Sequence, residues 1–205
     1  MKRMSKVLLM ALVLGSTTLL ALVAEPISEE QNTPVSISVT QEETGSEGIL
    51  YMREEEKLAR DVYLSLYETW GIKTFANIAR SEQTHMDAVA SLIQAQGLVD
   101  PVAGSVVGEF KNPDLAALYD QLIAKGTVSP QQALAVGALI EDLDIHDLEN
   151  YLSKTDDSAS IVVYTNLLKG SENHMRSFIR QLDRYNLTYE PEYISQERLN
   201  GILAR

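Results

Sequence analysis

The sequence predicts an all-α protein, most of which forms one helical domain. Apolar residues recur at helical spacing through most of the chain after residue 48, and the apolar–polar alternation of strands is almost absent. Gly, Pro, Asn and Ser interrupt the periodic stretches at only a few places. The chain has 205 residues, of which 45% are apolar. That is enough for one well-buried core, whereas a second full domain would be cramped.

The first 24 residues have the layout of an export signal. Lys2, Arg3 and Lys6 precede a largely apolar run over residues 7–24, and the chain turns acidic after it. Such a segment is either cleaved, here after Ala24, or kept as a short membrane anchor. In both cases the folded part is expected outside the cytoplasm, in the periplasm, at the cell surface or secreted.

Residues 25–47 are rich in Glu, Ser, Thr, Gln and Pro and lack a helical period, which predicts a disordered acidic linker. Of the 17 basic side chains three lie before residue 25, so 14 basic and 29 acidic side chains follow, with a net charge of −15. An acidic surface repels nucleic acid, so no nucleic-acid partner is expected. The chain has no cysteine, so any metal must be held by oxygen and imidazole ligands.

The first half of the predicted domain, residues 48–185, holds two long helices and a crossover. The first helix spans about 49–70 and ends at Gly71, and the second spans about 74–96 and is followed by Gly97. Within the long connection that follows, Asn112 is expected to cap a short helix that starts at Pro113 and ends near residue 126.

The second half repeats the helical hairpin. Ser129 is the expected cap of a helix that runs to about residue 153, and Asp157 or Ser158 opens a helix that reaches about residue 185. Residues 186–205 are a C-terminal tail with one or two helical turns after Ser195. Two hairpins joined by one long crossover is the connectivity of ferritin-like four-helix bundles.

The second and last long helices contain similar short segments, SEQTHM at 81–86 and SENHM at 171–175. Glu82 and His85 are three residues apart within an apolar stripe, so both should point into the bundle. His174 also lies in an apolar stripe. Glu172 is rotated by about 200 degrees from it, so a solvent-exposed salt bridge with Arg176 is expected there. Ser171 stands three residues before His174, where a second carboxylate would be needed.

The other two long helices offer further inward carboxylates. Glu141 and Asp144 lie three residues apart in one apolar stripe, whereas His146 falls on the outer face and is interpreted as a surface histidine. In the first helix Glu56 is bracketed by apolar residues, and Glu55 is an alternative with nearly the same support.

These groups can meet at one depth of the bundle, within about one helical turn. Four carboxylates and two imidazoles buried together are costly unless a cation neutralises them, so a pair of divalent metals is expected, with a metal-free polar seam as the alternative. The predicted metal ligands are Glu56, Glu82, His85, Glu141, Asp144 and His174.

The segment from Glu56 to Tyr63, EKLARDVY, followed by Glu82-x-x-His85, resembles the first half of the ferritin-like di-iron carboxylate proteins, rubrerythrins included. Residues 48–185 look like an uncharacterised prokaryotic branch of that superfamily, classed as a domain of unknown function. The family pattern takes a Glu from each of two helices and a Glu-x-x-His from each of the other two. Ser171 departs from it, so Asp144 substitutes, the second metal is weak, or only one metal binds.

The resemblance implies a centre of two metal ions, iron or iron and manganese, with zinc as an alternative, and redox chemistry with dioxygen or peroxide. A separate electron donor or a small oxidant is then the expected partner, because the chain has no cysteine-based electron carrier. Two other functions stay open: non-catalytic iron buffering and a metal-free helical interaction module. A homodimer is compatible with the sequence, and membrane contact is expected only through an uncleaved N-terminal segment.

Overall fold

The computed structural model describes residues 45–205, and this range contains six helices and no strand. The expected export segment and residues 25–44 of the expected linker lie outside the described residues. The helices are α1 (Gly45–Trp70), α2 (Lys73–Ala95), α3 (Pro113–Gly126), α4 (Pro130–Lys154), α5 (Ser158–Asp183) and α6 (Gln196–Leu203). Within residues 45–205, none of the helices is both long enough and apolar enough to cross a bilayer.

Side-chain caps fix the starts of the helices after the crossover, as the sequence predicts. The side chain of Asn112 accepts a hydrogen bond from Asp114 N, that of Ser129 accepts one from Gln132 N, and that of Asp157 accepts one from Ser160 N. These bonds satisfy backbone N–H groups that a helix leaves without partners at its N-terminus. α1 begins at Gly45, so residues 45–47 of the expected linker are helical.

The four long helices form two hairpins. α1 packs along α2, α4 packs along α5, and the hairpins meet through contacts of α2 with α5 and of α1 with α4. The apolar core has two parts. The larger includes the mutually packed rings of Tyr63, Phe75 and Phe178, and the smaller includes Ile49 and Val89. A layer of buried polar side chains separates the two parts along the bundle.

The crossover between α2 and α3 covers the side of α1 that faces away from the other long helices. Arg53 of α1 binds Asp100 with an Nη2–Oδ2 distance of 3.0 Å, and the carboxylate of Glu54 accepts hydrogen bonds from Lys111 N and Asn112 N. These bonds hold the crossover, so α1 is buried all round in this part.

One turn further along α1, charged side chains again bind the crossover. Lys57 pairs with Asp61 and donates a 2.7 Å hydrogen bond to the carbonyl oxygen of Val106, while Asp61 accepts one of 3.0 Å from Gly108 N. The ammonium of Lys57 also lies 4.5 Å from the centroid of the Phe110 ring. A buried ion pair is tolerable here because additional hydrogen bonds compensate its desolvation.

The C-terminal segment, residues 186–205, packs on the outer face of α4 and α5. Fully buried Asp142 accepts hydrogen bonds from Tyr189 Oη at 2.8 Å and from the backbone N–H groups of Glu192, Tyr193 and Ile194. One carboxylate of α4 therefore fixes the path of the chain before α6.

The predicted salt bridge between Glu172 and Arg176 is wrong. Glu172 is only 6% exposed and its Oε1 lies 2.6 Å from Arg198 Nη2 of α6, while Arg176 donates to Ile202 O. Glu172 does point away from His174, as predicted, but α6 covers that face and supplies its cationic partner.

Candidate metal centre

The polar layer contains all six side chains that the sequence predicts as metal ligands, and the structure buries every one of them. α1 contributes one, α2 two, α4 two and α5 one, because each lies at a position where helical periodicity turns it toward the bundle axis. They are Glu56, Glu82, His85, Glu141, Asp144 and His174.

One triad joins α1 and α2. Glu56, Glu82 and His85 each present one ligand atom, and these atoms lie within 4.8 Å of one another. Nδ1 of His85 is 3.2 Å from Oε2 of Glu56 and 2.7 Å from Oε2 of Glu82. Two carboxylates and one imidazole nitrogen thus converge on one point.

A second triad joins α2, α4 and α5, and it uses Glu82 again. Nδ1 of His174 lies 2.7 Å from Oε1 of Glu82 and 3.5 Å from Oε2 of Glu141. The rings of His85 and His174 stack with their centroids 5.4 Å apart. Glu82 therefore directs one oxygen toward each histidine and belongs to both triads.

Asp144 belongs to neither triad, although it lies beside both. Its Oδ2 accepts a hydrogen bond from Ser171 Oγ, and burial followed by the charges of Glu56, Glu141 and Glu82 raises its pKa well above the ordinary range. Ser171 of α5 thus holds a carboxylate that comes from α4.

Several buried ligand atoms have no hydrogen-bond partner within residues 45–205. Nδ1 of His174 is among them, although it lies 2.7 Å from Oε1 of Glu82. Unsatisfied buried polar atoms that converge from four helices are the expected sign of a cation site. These atoms are Glu56 Oε1, Glu82 Oε1, Asp144 Oδ1 and His174 Nδ1.

Protons partly replace a cation in the structure as it stands. Burial raises the pKa of Glu56 to about 7 in spite of His85. Burial lowers the pKa of both histidines, but neighbouring carboxylates raise that of His85 to about 12 and that of His174 to about 10. Burial raises the pKa of Glu82, but the two histidines outweigh it and lower the pKa to about 2. The donor set fits a divalent cation, which would displace these protons.

Further residues orient the ligands. Tyr63 donates a 2.5 Å hydrogen bond from its hydroxyl to Oε1 of Glu141, and Nε2 of His174 lies 2.9 Å from Ser81 Oγ. Asn173 and Asp87 lie near the two histidines in the sequence, but their side chains bond to other residues of their own helices. Ser81 was missed, although its position directly before Glu82 offered a signal.

Gly170 is a second residue that sequence reasoning missed. A Cβ atom on Gly170 would lie 2.4 Å from Nε2 of His85, so only glycine lets α5 pass this close to the imidazole. The sequence shows a glycine directly before SENHM, but its role becomes evident only from the packing of α5 against His85 of α2.

Glu55, the alternative ligand, and His146, the predicted surface histidine, both lie outside the two triads. Glu55, the alternative to Glu56, is buried but enters neither triad. The side chain of His146 is 49% exposed, and its Nδ1 lies 2.9 Å from Oδ1 of Asp147, outside both triads.

Known proteins resemble this chain over most of its length. Residues 45–205 match the model of a family described as an uncharacterized protein domain, DUF2202. The chain is 49% identical over 180 residues to the uncharacterized protein MJ0754 of Methanocaldococcus jannaschii. The aligned region covers 88% of this chain and 90% of that protein.

The fold is also similar to a solved structure. The crystal structure of hypothetical protein MJ0754 from Methanococcus jannaschii DSM 2661 superposes with a TM-score of 0.78 at 50% identity, over 83% of this chain and 98% of that chain. The expectation of a domain of unknown function is thereby confirmed. Since the family match extends from α1 to the last residue, the chain belongs to the DUF2202 family.

Proposed function

We propose that this chain is a ferritin-like metalloprotein that holds two metal ions, iron or iron and manganese, inside its helix bundle. The observation that supports it best is the position of Glu82, whose two oxygens each lie 2.7 Å from Nδ1 of a different histidine. A single carboxylate shared between two carboxylate–histidine triads is the arrangement that two neighbouring cations need.

Glu56, Glu82 and His85 would hold one ion, and Glu82, Glu141 and His174 the other. Asp144, held by Ser171, would add a further carboxylate to the site. Hard carboxylates with one imidazole per ion suit iron and manganese, with zinc as a competitor. The unsatisfied oxygens of Glu56 and Asp144 are the atoms that gain most from an ion.

The metal pair would supply the electrons for the reduction of dioxygen or peroxide. The chain's own contribution is a closed and oriented site. The hydrogen bond from Tyr63 fixes Glu141, and the Ser81 hydroxyl fixes the ring of His174. Because the chain has no cysteine, electrons would come from a separate donor or directly from a small reductant, and the oxidant is a small molecule.

A second function, capture or buffering of iron without turnover, is favoured by the net charge of −15 beyond residue 24 and by the absence of a cysteine-based electron carrier. We propose an extracytoplasmic location for either function, because residues 1–24 have the layout of an export signal.

The test is metal content by elemental mass spectrometry on protein purified without chelators and without a histidine tag. About two iron ions, or one iron and one manganese, per chain are expected. Absence of metal even after anaerobic incubation with ferrous ion would refute the metal centre and leave a helical interaction module. Steady-state consumption of peroxide with an added reductant then separates an oxidoreductase from an iron buffer, which would be oxidised once without turnover.

A further inference from the structure

A second pair of carboxylates, Glu55 of α1 and Asp147 of α4, lies beside the candidate metal centre and belongs to neither triad. Glu55 is 2% exposed, and neither of its carboxylate oxygens accepts a hydrogen bond from a donor in the described part of the chain. A buried carboxylate without a donor is costly, so its environment has to supply a proton or a cation.

The surroundings of Glu55 are acidic. Its main electrostatic neighbours are Asp147, Asp144 and Glu56, and Asp147 lies within hydrogen-bonding reach. Within residues 45–205 no ion pair joins Glu55 to a lysine or arginine. Arg53 and Lys57 of α1 bind the crossover, and Arg60 pairs with Asp61. A cation that replaces the missing basic partner would bind here with favourable electrostatics.

The pair continues the line of carboxylates outward from the centre. Asp144 and Asp147 are three residues apart and share one face of α4, and Glu55 directly precedes Glu56 in α1. The α1–α4 interface therefore presents two successive levels of carboxylates. The inner level faces the triads, and the outer level is formed by Glu55 and Asp147.

The outer level reaches solvent through Asp147. Oδ1 of Asp147 lies 2.9 Å from Nδ1 of His146, whose side chain is 49% exposed. The ring of Tyr193 from the C-terminal segment lies beside it, with its centroid 6.2 Å from that of His146. A metal-binding side chain thus stands at the surface end of the carboxylate line.

The histidine edge of the centre offers no such line. Nε2 of His174 is engaged by the hydroxyl of Ser81, and the backbone of Gly170 packs against Nε2 of His85. A divalent cation approaching there would meet imidazoles and a hydroxyl before any carboxylate, whereas acidic side chains along the α1–α4 interface raise the local cation concentration.

We propose that Glu55 and Asp147 form an outer carboxylate site that takes up divalent cations near His146 and passes them to the centre. This inference rests on the proposed metal centre. A transit site changes the rate at which ions enter and leave, and it leaves the final occupancy of the centre unchanged.

The test is the rate at which metal-free full-length protein binds Co²⁺, followed by stopped-flow absorption of the cobalt d–d bands. Glu55→Gln and Asp147→Asn preserve shape and remove a charge. Each is expected to bind Co²⁺ about tenfold more slowly than the parent chain and to reach the same final stoichiometry. Removal of Co²⁺ by a chelator should slow by the same factor, because the affinity of the centre is unchanged.

Glu149→Gln is the matched control, since it removes a carboxylate of α4 that pairs with Arg198 instead. It should bind Co²⁺ at the parent rate. Parent rates in both test variants would overturn the transit site while leaving the metal centre intact, as would a lower final stoichiometry with unchanged rates. If the parent chain itself binds no Co²⁺, the proposed function fails. Should Asp147→Asn alter the far-ultraviolet circular dichroism, the near-isosteric Glu55→Gln decides.

Discussion

Replacing Glu82 should affect metal binding more than replacing any other single residue, because both triads include it. Replacement by Gln keeps the volume and removes the charge that both histidines face. We expect Glu82→Gln to lower metal affinity by more than the roughly hundredfold loss typical of an outer hydrogen-bond partner. Isothermal titration with Mn²⁺ or anaerobic Fe²⁺ measures it.

The controls for Glu82 are Glu172→Gln and His146→Ala. Both change residues of similar chemistry, but Glu172 points toward α6 and His146 toward solvent. Both variants should bind metal with the parent stoichiometry. An equal loss of metal in Glu172→Gln would show that α5 is rotated relative to the arrangement described here.

Gly170 allows a second prediction at the scale of one residue. In Gly170→Ala the added methyl group would meet the imidazole of His85 at 2.4 Å, so the ring must leave the position in which its Nδ1 contacts Glu56 and Glu82. Metal affinity should fall by about tenfold or more. The metal-free protein should lose little stability, since Ala in a helix interior is favoured over Gly by about 0.5–1 kcal/mol.

Gly201→Ala is the matched control for Gly170→Ala. A Cβ atom on Gly201 of α6 would meet nothing within 4 Å. This variant should keep its metal affinity and gain slightly in thermal stability. A parent-like affinity in Gly170→Ala would instead mean that the position of the His85 ring is unimportant for binding.

At the scale of elements, the C-terminal segment depends on Asp142. Asp142→Ala would leave the N–H groups of Glu192, Tyr193 and Ile194 without their acceptor. Each unsatisfied buried donor costs about 1–3 kcal/mol, so we expect a loss of about 3 kcal/mol or more in the free energy of unfolding, reduced where water reaches the groups. Urea denaturation measures it, and limited proteolysis should cut near residue 190 first.

Asp120→Ala in α3 removes an exposed carboxylate and should change the free energy of unfolding by less than about 0.5 kcal/mol. If Asp142→Ala were equally mild, the segment after α5 would be held chiefly by its other contacts, the apolar packing of Leu199 and Ile202 and the ion pair of Arg198 with Glu172.

For the molecule as a whole, the metal-free protein should lose stability as the pH rises. The pKa of His174 is raised from 6.5 to about 10, so its stabilising contribution is complete below pH 6.5 and disappears as the pH rises through 10. Glu56, raised from 4.5 to about 7, acts in the same direction at lower pH. Glu82, lowered to about 2, loses its contribution only in strong acid.

Melting temperatures of chelator-treated protein at about pH 6 and about pH 9 measure this effect, and the value at the higher pH should be the lower one. Added Mn²⁺ should stabilise more at the higher pH, where fewer protons compete for the ligands. A metal-free protein that is more stable at the higher pH would contradict the protonated cluster.

Much of the fold could be predicted because it is encoded locally. The caps Asn112, Ser129 and Asp157 fix helix starts through bonds to residues only two or three positions away. The inward direction of Glu82 and His85 follows from helical periodicity alone. The burial of Glu172 could not be predicted in this way, since it depends on the packing of α6, a helix that follows much later in the chain.

The sequence by itself determined the helical elements, their caps and the side of each helix on which the carboxylates and imidazoles lie, because these depend on short-range bonds and on a fixed turn angle. Only the tertiary structure brought Glu56, and not Glu55, close to Glu82 and His85. It also placed Glu82 between two histidines and set Ser171 against Asp144. α1 is buried all round by the crossover and the other helices, so its apolar pattern could not select one glutamate. Distances between side chains of different helices depend on packing, which no single helix encodes.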